Sequence, residues 1–336
     1  MRTTSAAAVL TMLLSGTAPA LAGAPPAQTG PSGPLEDARR ATEQTTFEGV
    51  MDVRWVDGGV TRTQTLTVTA AHATLAVSGG NQVMAVEPFE RILSRGGKAW
   101  EELWEPTVAI SARPDASAQY QVTTLPGGPS VAGRPTFTVE IRQAGSLRER
   151  LQLDTATSLP LEREQYDDHG VVDRTLAFTT LTLGTAAPPA RPAAPVDHTP
   201  RAVSAAQLAS AAAPDSLPEG YRRLGAYHSA DVLQVLYSDG IYDLSVFQQP
   251  GRLRRADLPR SGEPVAVGAT TGVRYAWAGG QVVVWSAGGR VLTAVGDAPI
   301  DEVLEAVRAV PQAPARAPSL MAKLRRACRA VMEPLS

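Results

Sequence analysis

Alternation of apolar and polar residues predicts that the first half of the chain folds mainly as β-strands. Residues 51–55 alternate in this way, and after an Asp-Gly-Gly turn at 57–59 the run 62–69 alternates again. Such one-sided alternation is typical of an antiparallel hairpin that buries a single face. The apolar residues that share this face are Met51, Val53, Trp55, Leu66 and Val68.

A meander of three further strands is predicted over 147–184, because alternating runs are separated there by turn-forming residues. In the last of these strands, Leu176 and Phe178 share one parity. Leu181 and Leu183 share the other parity, so both pairs can face the core only if the strand contains a bulge. The pattern therefore predicts a bent sheet.

A change in composition marks the middle of the chain. From 186 to 216 alanine and proline dominate, and large apolar residues are few, which predicts an interdomain linker. Strand-like runs follow at 231–237, 241–248, 272–277, 281–285 and 290–295. Apolar residues then recur at helical spacing over 301–310, which predicts a closing helix. The predicted fold class is α+β, with this helix on a second, smaller antiparallel sheet.

The amino terminus has the pattern of a secretory signal peptide over residues 1–22. Arg2 supplies a positive charge, the run 6–14 is almost entirely apolar, and 20–22 has the small-x-small spacing of a cleavage site. We therefore expect export to the periplasm or another extracytoplasmic space, with the leader either removed or kept as an anchor. Cys328 is the only cysteine, so stability after export must come from buried apolar area rather than from an intramolecular disulfide.

The pattern of apolar and basic residues in the last part of the chain predicts a basic amphipathic helix over 318–334. Leu320, Leu324 and Val331 fall on one face, and Lys323 and Arg326 fall on others. Two interpretations stay open for this segment. It is either a solvated helix docked on the body of the protein, or a peripheral contact with anionic lipid or an acidic partner.

Composition and motifs argue against catalysis and against nucleic-acid binding. The net charge of -2 gives no general attraction to a phosphate backbone, and the 4 histidines are scattered. The sequence lacks a nucleophile elbow, a P-loop and a dinucleotide-binding fingerprint, so we expect no enzymatic activity, no metal and no cofactor. Ser238 and Asp239 could form a hydrolase triad with His228, although a turn between two strands explains the first two residues.

Two blocks of sequence resemble the RseB/MucB family of sigma-factor regulators. The first comprises 131–135, 138–141 and the pattern Leu153-Asp154-x-x-Thr157-x-Leu159-Pro160-Leu161, and it resembles the end of the family's amino-terminal domain. The second comprises 237–241 (Tyr-Ser-Asp-Gly-Ile) and 244–247 (Leu-Ser-Val-Phe), and it resembles the carboxy-terminal domain. The chain departs from the family pattern at Ser146-Leu147-Arg148, where an aromatic-glycine pair would be expected.

The resemblance implies a fold and a function. It implies an amino-terminal domain at 35–185 that is similar to the lipoprotein carriers LolA and LolB, a curved antiparallel half-barrel enclosing an apolar cavity. It also implies a second domain at 217–311 that the carriers lack. Members of the family bind the extracytoplasmic part of a membrane anti-sigma factor and shield it from proteolysis, and an acylated lipid or lipoprotein ligand releases it under envelope stress.

Candidate sites follow from this resemblance and from the residues themselves. The apolar face of the first hairpin is the candidate cavity wall, with plain core packing as the alternative. A loop with four arginines is the candidate contact for an acidic partner segment, with plain solvation as the alternative. These arginines are Arg252, Arg254, Arg255 and Arg260. The competing functions are a lipid or lipoprotein carrier or chaperone of the LolA type and an extracellular hydrolase.

Overall fold

The computed structural model describes most of both predicted domains. The described residues are 33–71, 74–79, 82–87, 90–95, 98–102, 119–184, 201–203, 208, 213–229 and 232–311. The predicted signal peptide at 1–22, the predicted basic helix at 318–334 and most of the predicted linker lie outside them. Within the described part, neither α-helix has the length and apolar character needed to cross a bilayer.

The first half begins with helix α1, Pro34–Gln44, and continues as one antiparallel sheet. Proline in the first turn of α1 has no amide hydrogen to leave unsatisfied. Acidic residues in that turn stabilise the helix, because their negative charge lies near the positive end of the helix dipole. The strands are β1 Phe47–Asp57, β2 Val60–Ala71, β3 Thr74–Gly79, β4 Gln82–Glu87, β5 Glu90–Arg95, β6 Lys98–Glu102, β7 Tyr120–Leu125, β8 Thr136–Gln143, β9 Ser146–Asp154, β10 Pro160–Tyr166 and β11 Val172–Leu183.

The order of these strands makes an open, bent sheet. The 11-stranded order is β6-β5-β4-β3-β2-β1-β11-β10-β9-β8-β7, so the first and last strands of the domain meet in its middle. The predicted hairpin is β1 paired with β2, and the predicted meander is β9, β10 and β11. Register shifts interrupt four of the strand pairs and increase the local twist. The predicted class, a curved antiparallel half-barrel with a second sheet and a helix, is confirmed.

The bulge predicted in the last strand is present at Thr179. In the pairing of β1 with β11, Met51 lies opposite Phe178 and Val50 lies opposite Thr180, so Thr179 has no opposite residue. The hydroxyl of Thr179 donates to the carbonyl oxygen of Val50 at 3.1 Å. The bulge turns Leu181 to the same face as Phe178, and both join one apolar cluster.

The second half is an eight-stranded antiparallel sheet closed by helix α2, Ile300–Ala309. The order is β12-β13-β14-β15-β19-β18-β17-β16. The strands are β12 Arg201–Ala202, β13 Arg222–Ser229, β14 Val232–Ser238, β15 Asp243–Pro250, β16 Glu263–Val267, β17 Thr270–Trp277, β18 Gly280–Ala287 and β19 Arg290–Gly296. Strands β13 and β16 were not predicted, because their runs include arginines, a glycine or a proline and alternate weakly.

Part of the predicted linker belongs to the second sheet. Strand β12 pairs with β13 at the edge of the sheet, and Ala213 is buried in the main core. Few large apolar residues were visible in this stretch, but short ones can fill a core position when the neighbouring strands are already in place. The domain boundaries themselves stay predictions.

A single apolar core crosses from one half to the other. It joins Val139 and Leu153 of the first sheet to Trp285 of the second sheet and Val307 of α2, and all four are almost completely buried. At about 25 cal/mol per Å² of apolar surface removed from water, such shared burial stabilises the contact between the halves as it stabilises each of them.

Candidate functional site

Beside this shared core, buried and half-buried polar and charged side chains of the two halves meet. We call this group the interdomain polar layer. From the first half it contains Tyr120, Arg148, Glu149, Arg163, Gln165 and Arg174, and from the second half Asp239, Tyr242, Asp297 and Glu302. A buried charge is costly unless a partner compensates it, so the contacts within this layer decide how firmly the halves hold together.

The first contact centres on Asp239 in the turn between β14 and β15. One carboxylate oxygen accepts the backbone N–H groups of Ile241 and Tyr242, both at 2.7 Å, which is why this turn forms. The other oxygen accepts the phenol O–H of Tyr120 from the first half. The side-chain amide of Gln119 also donates to the carbonyl oxygen of Asp239 at 2.9 Å. The Tyr-Ser-Asp-Gly-Ile block thus holds the first half by two hydrogen bonds.

The second contact is an ion pair between Arg148 on β9 and Glu302 on α2. Both side chains are buried, and the guanidinium of Arg148 also lies 5.9 Å from the ring centre of Tyr242. Burial, with a smaller contribution from the nearby Asp239 carboxylate, raises the pKa of Glu302 to about 8, while Arg148 opposes the shift. Burial likewise raises the pKa of Asp239 to about 6.

The third contact holds the segment between β19 and α2. The carbonyl oxygen of Asp297 accepts the amide of Gln165 at 3.0 Å and the guanidinium of Arg174 at 2.6 Å. The carboxylate of Asp297 accepts the backbone N–H of Asp243 at 2.8 Å. One residue therefore joins β10 and β11 of the first half to the start of β15 in the second.

A polar cleft of about 310 Å³ opens next to these contacts. It lies between the turn after β10, the short 3-10 turn Pro218–Gly220 and one side of α2. Its lining residues are Arg148, Asp168, Glu219, Pro299, Asp301, Glu302, Glu305 and Arg308. In the described part of the chain, no three His, Cys, Asp or Glu side chains are grouped so that they could hold a metal ion.

The raised pKa values predict how stability depends on pH. Between about 6 and about 8, the folded protein keeps a proton on Glu302 that the unfolded chain has already lost, so the free energy of unfolding should fall as pH rises. One such group gives at most about 1.4 kcal/mol per pH unit. Urea unfolding at pH 6, 7 and 8 checks this, and Glu302→Gln should remove most of the slope. A slope unchanged by that variant would contradict the assignment.

The candidate cavity wall does lie on one face of the first hairpin. Met51 lies opposite Leu66, and the neighbouring pairs place Val53, Trp55 and Val68 on the same side. Val53 and Val68 are buried, whereas the other three are half-buried. Met51 and Val68 belong to the apolar cluster around Phe47 and Phe178, whose rings pack edge to face. Their role as a ligand wall stays a prediction.

The four candidate partner-binding arginines lie together in the loop between β15 and β16. All four are exposed. The loop itself is anchored, because Leu258 is buried and the backbone N–H of Leu253 donates to the hydroxyl of Ser286 at 2.7 Å. A firmly held loop therefore presents this positive group to solvent, and its partner role also stays a prediction.

The structure does not bring the hypothetical triad together. Ser238 donates to the carbonyl oxygen of Tyr242 at 3.0 Å and accepts the backbone N–H of Gly240. His228 pairs across the sheet with Leu233, which lies near the other end of β14, roughly 16 Å from Ser238 at the rise of a strand. Ser238 and Asp239 therefore shape a turn.

Sequence reasoning missed the interdomain polar layer, apart from Asp239. Arg148 and Glu302 are separated by 154 positions, and no local pattern connects residues so far apart. The signal that could have found Arg148 was its position in a segment, 146–148, that departs from the RseB/MucB sequence pattern. Glu302 occurs on the buried side of a helix that is otherwise apolar there, which is a second usable signal.

The described fold and site define a class: an α+β protein with two antiparallel sheets that are joined by a shared core and a buried polar layer. No family model matches the chain, and no curated protein does. Among solved structures, the chain is similar to MucB in complex with MucA(peri), with 18% identity over 84% of this chain and 98% of that chain and a TM-score of 0.49.

Two other solved structures are also similar to the chain. The Pseudomonas aeruginosa MucA/MucB complex matches with 18% identity over 84% of this chain and 98% of that chain, with a TM-score of 0.48. A LolA superfamily protein from Nitrosomonas europaea matches with 11% identity over 46% of this chain and 93% of that chain, with a TM-score of 0.24. MucB and a LolA superfamily protein are thus both among the solved structures to which the chain is similar.

Proposed function

We propose that this chain is an exported regulator that binds the extracytoplasmic part of a membrane anti-sigma factor and controls its proteolysis. The partner class comes from the two sequence blocks that resemble the RseB/MucB family, and the similar solved structures include complexes of MucB with MucA. In this proposal the protein has no catalytic activity of its own.

The observation that carries the proposal is the position of the Tyr-Ser-Asp-Gly-Ile block. This block is the most specific part of the resemblance, and Asp239 within it receives the hydroxyl of Tyr120 from the other half. A regulator that senses a signal in one domain and binds a partner with the other needs a contact between the two domains. Binding at one site can affect the other only through an element whose conformational equilibrium both sites shift.

The partner-binding surface in this proposal is the exposed arginine loop between β15 and β16. Arginine forms paired hydrogen bonds with carboxylates, so a row of exposed arginines suits an acidic stretch of a partner chain. Because the loop is already anchored at Leu258, binding would cost little further conformational entropy.

The signal-binding surface in this proposal is the apolar face of the first hairpin. Half-buried Met51, Trp55 and Leu66 provide apolar area that an acyl chain could cover. An acylated ligand would release the partner only if it bound one arrangement of the two halves more tightly than another.

Affinity capture from membranes of unstressed cells tests the partner. The mature protein should recover a single-span membrane protein, identified by mass spectrometry, whose gene lies beside that of a sigma factor. Recovery of no such protein would contradict the proposal. Extractable acyl lipid in the purified protein, together with its transfer to acceptor membranes, would instead favour a carrier of the LolA type.

Once the partner has been identified, charge-reversal variants test whether the arginine loop between β15 and β16 binds it. Changing Arg252 and Arg255 to glutamate should weaken binding of the partner's extracytoplasmic segment by roughly tenfold, because each ion pair at a rim contributes up to about 1 kcal/mol. The matched control changes Arg62 and Arg222, which are also exposed but lie elsewhere, and should leave the affinity unchanged. Equal loss in both variants would show only a general charge effect.

A further inference from the structure

The turn of the first hairpin, which we call the hairpin tip, rests on the second half. Strand β1 contacts β17, and the carboxylate of Asp57 at the end of β1 lies 4.0 Å from the guanidinium of Arg274. The next residue, Gly58, is so close to Glu263 on β16 that an added Cβ would overlap its carboxylate. Arg274 also lies 3.2 Å from Glu263. Arg62 pairs with Asp57 at 3.5 Å, but it belongs to the hairpin and moves with it.

The hairpin tip is the end of the signal-binding surface of the proposed function. Met51, Val53, Trp55 and Asp57 alternate along β1 without a register shift against β2, so their side chains lie on one face of the hairpin. Asp57 therefore ends the row of apolar residues on which an acyl chain would lie. A ligand that moves this face also moves the carboxylate of Asp57 relative to Arg274.

Strand β17 holds the arginine loop on its other face. Tyr275 follows Arg274 directly, so the two side chains point to opposite faces of the sheet. The hydroxyl of Tyr275 donates to the carbonyl oxygen of Pro259 at 3.1 Å, and its ring packs against the apolar cluster that contains Leu258. Pro259 directly precedes Arg260, one of the four candidate partner-binding arginines. One strand thus contacts the hairpin tip on one side and the arginine loop on the other.

We propose that β17 couples the two surfaces: the hairpin tip positions the arginine loop through Arg274 and Tyr275, so that displacing the tip loosens the loop and weakens its hold on an acidic partner segment. This inference rests on the proposed function for what the two surfaces bind. The pair of Asp57 with Arg274 is long and partly exposed, so a ligand can break it. Coupling is reciprocal, and a partner bound to the loop would therefore hold the hairpin tip in place.

Amide exchange in the full chain tests the coupling without an acyl ligand and without the partner. The reporters are the backbone N–H groups of Leu258 and Gly262, both of which donate to carbonyl oxygens within the arginine loop. Changing Asp57 to alanine should speed exchange at both reporters about fivefold, because the hairpin tip then no longer holds Arg274. Nuclear magnetic resonance of the amide protons measures these rates.

The matched control is Asp52→Ala. Asp52 also lies on β1, but its side chain is on the opposite face of the hairpin, where it accepts the hydroxyl of Thr65 at 2.7 Å. Its loss removes a comparable carboxylate contact from the same strand without touching the contact with Arg274. Exchange at Leu258 and Gly262 should therefore stay at the rate of the unchanged protein.

A double-variant cycle separates transmission through β17 from a general loosening of the fold. Tyr275→Phe removes only the hydroxyl that holds Pro259, so it should speed exchange at the reporters by itself. Adding Asp57→Ala to Tyr275→Phe should then give no further acceleration, because the connection between tip and loop is already broken. Two independent effects would instead multiply.

Three outcomes would overturn the coupling. They are unchanged exchange at Leu258 and Gly262 in Asp57→Ala, equal acceleration in Asp52→Ala, and effects that multiply in the double variant. Because these measurements include neither ligand nor partner, a failure here leaves the proposed function standing, and the affinity capture decides that function separately.

Discussion

Replacing Arg148 with alanine is expected to lower the free energy of unfolding by about 3 kcal/mol at about pH 9. The substitution leaves Glu302 buried without its cation and removes the contact of the guanidinium with the ring of Tyr242. The loss should be smaller at about pH 5, because Glu302, whose pKa is already raised to about 8, then carries a proton and no longer needs a cation. Urea unfolding followed by circular dichroism at both pH values measures the difference.

The matched control for this prediction is Arg308→Ala. Arg308 also pairs with a glutamate of α2, but both members of that pair are exposed, so the loss should stay under about 1 kcal/mol at either pH. A double variant, Arg148→Met with Glu302→Leu, should recover most of the stability, since an apolar pair of similar volume needs no compensation. Losses of equal size for the two arginines would contradict the buried ion pair.

The elements that follow local rules could be predicted from the sequence. The hairpin of β1 and β2 follows from alternation and from a turn in which Gly58 and Gly59 adopt positive φ values of 57° and 76°. The bulge at Thr179 follows from the change of parity between Phe178 and Leu181. In each case neighbouring residues alone dictate the result, because strand parity and turn chemistry act over only a few positions.

The contact between the halves could not be predicted in this way. The sequence was interpreted as two domains joined by a linker, yet Leu153 and Trp285 belong to one core. A core residue shows only that it will be buried, and not which distant residue will cover it. The same limit applies to Gln165 and Arg174, whose shared acceptor is a backbone carbonyl at Asp297. Every residue has a backbone carbonyl group, so the residue type does not show which carbonyl will accept a distant donor. Such partners can be identified only from the folded structure.

Asp239 lies between these two cases. Its place in the Tyr-Ser-Asp-Gly-Ile block indicated a turn, and the turn is present with both backbone N–H groups bound to one carboxylate oxygen. The same residue type also serves the interface, where the second oxygen accepts Tyr120. A carboxylate can accept at both oxygens at once, so a motif that is fully explained by local geometry still leaves room for a distant partner.

Replacing Gly280 with alanine is expected to cost roughly 3 kcal/mol or more. Gly280 begins strand β18 with φ at +136°, a conformation that side chains other than that of glycine rarely adopt. An added Cβ would overlap the carbonyl oxygen of Gly296 and would lie 2.8 Å from the Cα of Asp297. Both obstacles are backbone atoms, so neither can turn aside as a flexible side chain would.

The matched control is Gly289→Ala in the turn between β18 and β19. Gly289 also has a positive φ, 77°, but a Cβ there would meet no atom within 4 Å, so only the conformational cost of about 1 kcal/mol is expected. Unfolding in urea compares the two variants. Because Asp297 also holds Gln165 and Arg174 of the first half, Gly280→Ala should in addition speed amide exchange in β10 and β11, whereas Gly289→Ala should not. Unchanged exchange in those strands would mean that the Asp297 contact does not transmit the displacement between the halves.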